Sequence, residues 1–191
     1  MSCDAVRHRN MEYLFGPPTP EPQGFKYQKE FITREEERML IEHVAALPLA
    51  PYQHEVEGQV YEGKRRVYNY GEENEPFPDW LQPLREKVAA FAGHRRDELV
   101  QAHLIEYSPG APIGWHRDSP PYEKVVGVSL LSPCRFQLRR KRADGKFDRF
   151  EITAEPRSIY VMAGESRSVW QHGIPPVEHL RYSITFRTNP P

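Results

Sequence analysis

From Leu99 onward the sequence breaks into short runs rich in β-branched and aromatic residues: 99–107, 124–131, 134–139, 148–153, 157–163 and 180–188. Proline, glycine or the hairpin pair Asp144-Gly145 closes them off. Six strands in so short a stretch predict a sandwich or jelly roll. Ahead of them the texture is helical in two places. Thr33-Arg34-Glu35-Glu36 fits a capping box, and Met39, Leu40, Val44 and Leu47 follow at helical spacing until Pro48. A second helix is expected from Asp79, with Trp80, Leu84, Val88 and Phe91 on one stripe and Gly93 as its stop. Between the helices, 51–71 reads as a further hairpin carrying Tyr52, Tyr61, Tyr68 and Tyr70 among Lys64, Arg65 and Arg66.

The remaining segment, 1–24, ends in Gly16-Pro17-Pro18-Thr19-Pro20-Glu21-Pro22 and is expected to run extended as a lead-in. That leaves 25–191 as one domain, a length suited to a single core. A formal net charge of -1 excludes a uniformly basic coat, so any nucleic-acid binding must come from a local patch. With only Cys3 and Cys134, neither a disulfide framework nor a cysteine-rich zinc site is expected, and a reducing cytoplasmic setting follows. No apolar run reaches membrane-spanning length, so no membrane partner is expected. We expect a soluble monomer.

Two constellations carry chemistry. In Gly114-Trp115-His116-Arg117-Asp118, a strand or strand end turns His116 and Asp118 the same way, because side chains alternate with period two. His172, from a distant strand, can complete a set of two imidazoles and one carboxylate on one face of a metal, leaving positions open as iron(II) chemistry requires. Taken alone, a His-x-Asp pair is more often an ordinary polar pair. The second constellation is the last strand, where alternation puts Arg181, Ser183, Thr185 and Arg187 on one face and Tyr182, Ile184 and Phe186 on the other. That charged face reads either as a solvated edge or as two bidentate forks converging on a short dianion.

In order along the chain, five motifs together resemble the AlkB family of oxidative dealkylases. They are Tyr107-Ser108-Pro109-Gly110, His116-x-Asp118, Gly164-Glu165-Ser166-Arg167, His172-Gly173-Ile174 and Arg181-x-Ser183-x-Thr185-Phe186-Arg187. The likeness covers 99–188 closely and 25–98 more loosely, through Arg65 six residues before Gly71. It implies a mainly β fold with flanking α-helices, in which 99–188 forms a double-stranded β-helix, or jelly roll. It further implies Fe(II), with 2-oxoglutarate and O2 as co-substrates, held by His116, Asp118 and His172. Arg181 and Tyr107 match the partners of the distal oxoacid carboxylate, Arg187 the arginine near the carboxylate beside the metal, and Ser183 and Thr185 assist. Ile105 stands where the family often has asparagine.

The reaction implied is oxidative removal of N-alkyl groups from DNA or RNA bases, releasing formaldehyde, succinate and CO2. A base turned out of its stack needs aromatic faces and phosphate contacts. Tyr61, Tyr68 and Tyr70 offer the first; Lys64, Arg65, Arg66, Arg139, Arg140, Lys141 and Arg142 offer the second. The competing reading makes the tyrosines packing residues and the basic runs solvated turns. Pro120, where several DNA-repair members carry an acidic residue against the base, keeps open a protein side chain or small molecule as substrate instead. His8, His43, His54, His94, His103 and His179 have no comparable spacing and read as ordinary residues.

Overall fold

The computed structural model describes residues 20–56, 59–118 and 122–189. Most of the lead-in, Cys3, His8 and Pro120 lie outside the described residues, as do the side chains of His54 and Tyr61. Among the described residues, eleven strands form two antiparallel sheets. The larger has the order β1 (Phe25–Gln28), β9 (Ile159–Met162), β6 (Val125–Leu130), β11 (Arg181–Thr188), β4 (Leu99–Tyr107), β3 (Gln59–Gly71) and β2 (Ala50–Val56). The smaller has β5 (Ile113–His116), β10 (Gln171–Ile174), β7 (Cys134–Lys141) and β8 (Phe147–Ala154). This is the jelly roll expected, and β2 with β3 is the hairpin expected over 51–71.

Helix α1 (Arg34–Ala45) starts at Thr33 with both hydrogen bonds of the capping box, Glu36 N–H to Thr33 Oγ1 at 3.1 Å and Thr33 N–H to a Glu36 carboxylate oxygen at 2.8 Å. After a 3-10 turn at Asp79–Leu81, α2 (Gln82–Ala92) runs to Gly93, whose φ of 73° is the left-handed stop that glycine allows. Four short elements have no strong sequence signal: β1, β5, β10 and the single-turn helix α3 (Gly164–Ser168). Among the described residues no helix is long and apolar enough to cross a membrane.

Strand alternation divides the interior in two. Even-numbered residues of β4, β6 and β11, including Leu104, Val128, Ile184 and Phe186, pack under α1 and α2 with Leu40, Val44, Leu84 and Val88. The opposite face of the same sheet meets the smaller sheet, where Ile105, Tyr107, Tyr160 and Met162 pack against Phe136 and Leu138. Because β11 lies between β4 and β6 rather than at an edge, its polar face is buried between the sheets, and the solvated-edge reading of that strand falls.

Candidate active site

A cavity of about 1070 Å³ opens between the two sheets, and the charged face of β11 forms part of its wall. His172 on β10 stands in register with His116 on β5, and their rings lie 4.2 Å apart between centroids. Asp118 follows just beyond the end of β5, its Oδ1 3.6 Å from His116 Nε2. One donor atom from each of the three lies within 4.8 Å of the others. The pattern His-x-Asp, carried past the end of a strand, thus brings its two side chains to one point, and the neighbouring strand supplies the third.

The local electrostatics suit a cation there. His116 Nδ1 is 2.9 Å from the Gly114 carbonyl, which accepts the ring's proton and leaves Nε2 as a lone-pair donor on the Asp118 side. Burial holds His172 far below its usual pKa, to about 3, so this imidazole is neutral and ready to ligate. For Asp118 burial acts to raise the pKa, but the surrounding polar groups, the Arg187 guanidinium among them, outweigh it, and the carboxyl sits below its ordinary value. Two imidazoles and one carboxylate are the donor set of mononuclear non-haem iron(II) sites.

A second feature is an arginine with too few partners. Arg181 is fully buried, and its Nη2 donates to Ser129 Oγ at 3.0 Å while Nε and Nη1 have no acceptor. Its guanidinium lies 4.7 Å from the centre of the Tyr107 ring, and the Tyr107 hydroxyl is 3.4 Å from Ser183 Oγ. A buried cation with no carboxylate beside it is costly, and a bound carboxylate would remove that cost. Arg187, further along the same face, bonds Gln101 and lies 3.7 Å from Asp118 Oδ1, with its Nε also unpartnered. Thr185 lines the cavity between them.

The substrate candidates divide. Arg65 and Lys64 reach the cavity, Arg65 lying 4.3 Å over the Tyr52 ring. Tyr68 and Tyr70 do not: they project from the opposite face of β3, pack against each other, and bury Tyr70 beside Trp80. The period of the strand, which sends Arg65 and Asn69 one way, sends these rings the other, so the expectation that they hold a base is corrected. Arg140 and Arg142 are also away from the cavity and already neutralised, Arg140 by Asp148 at 3.0 Å and Glu165 at 3.5 Å, Arg142 by Asp144 and Asp148. Their expected role as phosphate contacts is corrected likewise.

Two wall residues were not singled out in the sequence. His103 lines the cavity, its Nδ1 2.6 Å from Asn69 Oδ1. Tyr160 reaches the same space from β9, its ring across Gly127 and 4.4 Å from that of Phe136. Burial, then the neighbouring Tyr107, raises the pKa of its phenol, which stays protonated as a donor. The run Ile159-Tyr160-Val161-Met162 is legible as a strand, but with every position apolar or aromatic, nothing in it says which face meets the cavity.

A sequence model described as the 2OG-Fe(II) oxygenase superfamily matches residues 21–187. The chain is 25% identical over 189 residues to an uncharacterized protein, L905, of Acanthamoeba polyphaga mimivirus, covering 86% of this chain and 84% of that protein. It is 28% identical to tRNA (carboxymethyluridine(34)-5-O)-methyltransferase ALKBH8 of Macaca fascicularis, over 82% of this chain but 25% of that protein. Against the mitochondrial alkB homolog 7 of Bos taurus, an alpha-ketoglutarate-dependent dioxygenase, it is 31% identical over 48% of this chain and 41% of that one. Among solved structures, OsALKBH1 superposes with a TM-score of 0.56 at 16% identity, covering 88% of this chain and 99% of that one. A Pseudomonas putida prolyl-4-hydroxylase superposes with a TM-score of 0.58 at 17% identity, covering 88% and 94%.

Proposed function

Because the chain belongs to the 2OG-Fe(II) oxygenase superfamily, as an AlkB-like dioxygenase using Fe(II), 2-oxoglutarate and O2, we propose that it removes N-alkyl groups oxidatively from bases of DNA or RNA. The products are formaldehyde, succinate and CO2. His116, Asp118 and His172 would hold the iron, which when bound supplies the oxidising power for the C–H bond next to the substrate nitrogen. The observation that carries the co-substrate reading is the buried, under-partnered guanidinium of Arg181.

Arg181 anchors the far carboxylate of the oxoacid, with the hydroxyls of Tyr107 and Ser183 beside it. Tyr160 takes the place of the donor that Ile105 cannot supply, since its phenol enters the same chamber. Arg187 orients Asp118 and balances the charge gathered near the metal. The walls, Phe136 and Met162 among them, keep bulk water from the reacting carbon. Support for a nucleic-acid substrate comes from Lys64 and Arg65 at the cavity, a volume able to take an extruded base, and the tRNA-directed name of the ALKBH8 relative. We read 25–191 as one catalytic domain working as a monomer in the cytosol, a setting that suits the free buried thiol of Cys134.

The test is incubation with Fe(II), 2-oxoglutarate and methylated single- and double-stranded DNA and RNA. Formaldehyde release, lost in His116→Ala and Asp118→Ala, is expected. Oxoacid turnover that cell extract stimulates even after nuclease treatment would instead assign a protein or small-molecule substrate.

A further inference from the structure

The smaller sheet carries an unneutralised cationic surface on its outer face. Arg139 on β7 stands directly opposite Arg149 on β8. Like charges in that relation repel and destabilise a sheet. Elsewhere on the same two strands the cations are matched: Arg140 faces Asp148, and Arg135 bonds Glu151 at 2.9 Å. Among the described residues, Arg139, Arg149, Lys141 and Arg117 form no ion pair.

These side chains are nonetheless held in place. The Arg139 guanidinium lies 4.4 Å over the Trp115 ring and 4.6 Å over Phe147, and its Nε donates to Gln171 at 2.9 Å. Arg149 lies 5.9 Å from the centres of both rings. Cation–π contact fixes a guanidinium without consuming its charge or most of its donors. The patch also joins the active site: Trp115 lines the cavity and precedes His116, while Gln171 precedes His172.

The geometry points to this Arg139/Arg149 surface, extended by Lys141 and Arg117, as the track for the phosphodiester backbone of a single nucleic-acid strand whose target base enters the cavity. The inference rests on the nucleic-acid reading above and adds the place where the strand lies. Charge complementarity carries it. On a chain of net charge -1, a polyanion meets a local cluster of held guanidiniums that no carboxylate pairs with, the nearby Glu151 and Asp148 being engaged by Arg135, Arg140 and Arg142. A chain of regularly spaced phosphates fits a row of forks better than an isolated carboxylate does.

The experiment measures fluorescence anisotropy of short labelled single-stranded RNA and DNA against the full chain, over a salt series. The variant combines Arg149→Glu with Lys141→Glu, both exposed and outside the metal and oxoacid residues. Arg135→Ala, at the matched end of the face, is the control. The double variant is expected to bind roughly tenfold more weakly or worse, with a salt slope shallower by about 0.7 for each phosphate that is no longer neutralised. Succinate production without nucleic acid stays at the parent level, and so does binding by the control. If the parent binds and dealkylates an oligonucleotide but the double variant binds it equally well, the track is refuted while the activity stands. If the parent binds neither strand type at any salt, the nucleic-acid reading fails with it. Displacement of the bound oligonucleotide by phosphatidylserine vesicles at matched charge would assign the patch to a lipid surface and overturn the proposal.

Discussion

The ring of Tyr160 crosses Gly127 so closely that a β-carbon at residue 127 would come within 2.2 Å of its Cζ and 2.4 Å of its hydroxyl. Glycine is therefore required there by the approach of a neighbouring ring rather than by its own backbone. Tyr160→Phe keeps the packing against Phe136 and removes only the donor. We predict a KM for 2-oxoglutarate raised roughly tenfold or more, in line with about 1.5–3 kcal/mol for a hydrogen bond to a charged group. Gly127→Ala displaces the whole ring and weakens oxoacid binding further, in a folded protein. An unchanged KM in Tyr160→Phe would remove Tyr160 from the oxoacid site.

Arg181→Met separates function from folding. The oxoacid-free protein loses a buried cation that has one hydrogen bond, one ring and no carboxylate, so its unfolding free energy rises by about 1 kcal/mol while turnover disappears. In the parent, 2-oxoglutarate at about a hundred times its dissociation constant adds about 2.7 kcal/mol of stability, and the variant gains nothing. Thermal and denaturant unfolding with and without the oxoacid check both signs; a less stable apo variant would mean Arg181 is already satisfied.

Acid should weaken the fold through His103. Burial, then the charges of Arg187 and Arg65, lowers its pKa to about 3 in the folded state from 6.5. Below 6.5 the unfolded chain takes up a proton that the folded one refuses, so stability falls as pH drops from about 6.5 towards 3. Between pH 7 and pH 5 this one group accounts for at most about 2 kcal/mol. Denaturant titrations at the two pH values, compared with His103→Gln, should show that difference shrink. A parallel loss in the variant would contradict it.

Tyr70 offers the reverse case. It is buried among Tyr68, Trp80 and the helical layer, so Tyr70→Ala should cost about 3 kcal/mol of stability, as large aromatic truncations do. Its KM values for oxoacid and oligonucleotide should be unchanged at temperatures where it remains folded. A selective rise in oligonucleotide KM would return the residue to the substrate site.

What the sequence disclosed and what it withheld follow from one rule. Alternation in Arg181–Arg187 put four polar side chains on one face but not whether that face was buried, which the central place of β11 decides, and the capping box at Thr33 and the stop at Gly93 are local chemistry that survives folding. The same alternation in β3 left open which of its two faces meets the cavity, because both carry aromatic and polar residues, and Tyr68 and Tyr70 fell on the helical side. Strands β5 and β10 are too short to show a period, yet they carry two of the three proposed ligands. The phosphate candidates Arg139, Arg140, Lys141 and Arg142 are consecutive in sequence, and only the cross-strand register reveals that Arg140 and Arg142 have been matched by carboxylates.

Among the described residues, strand β5 is an edge strand of four residues paired with β10, itself four residues long and irregular between His172 and Ile174. So brief a ladder resists local opening weakly. The two imidazoles that face each other across it make a metal a cross-strand clamp as well as a reagent. A metal bound there would then hold this corner of the molecule closed to amide exchange for longer than the ladder alone does.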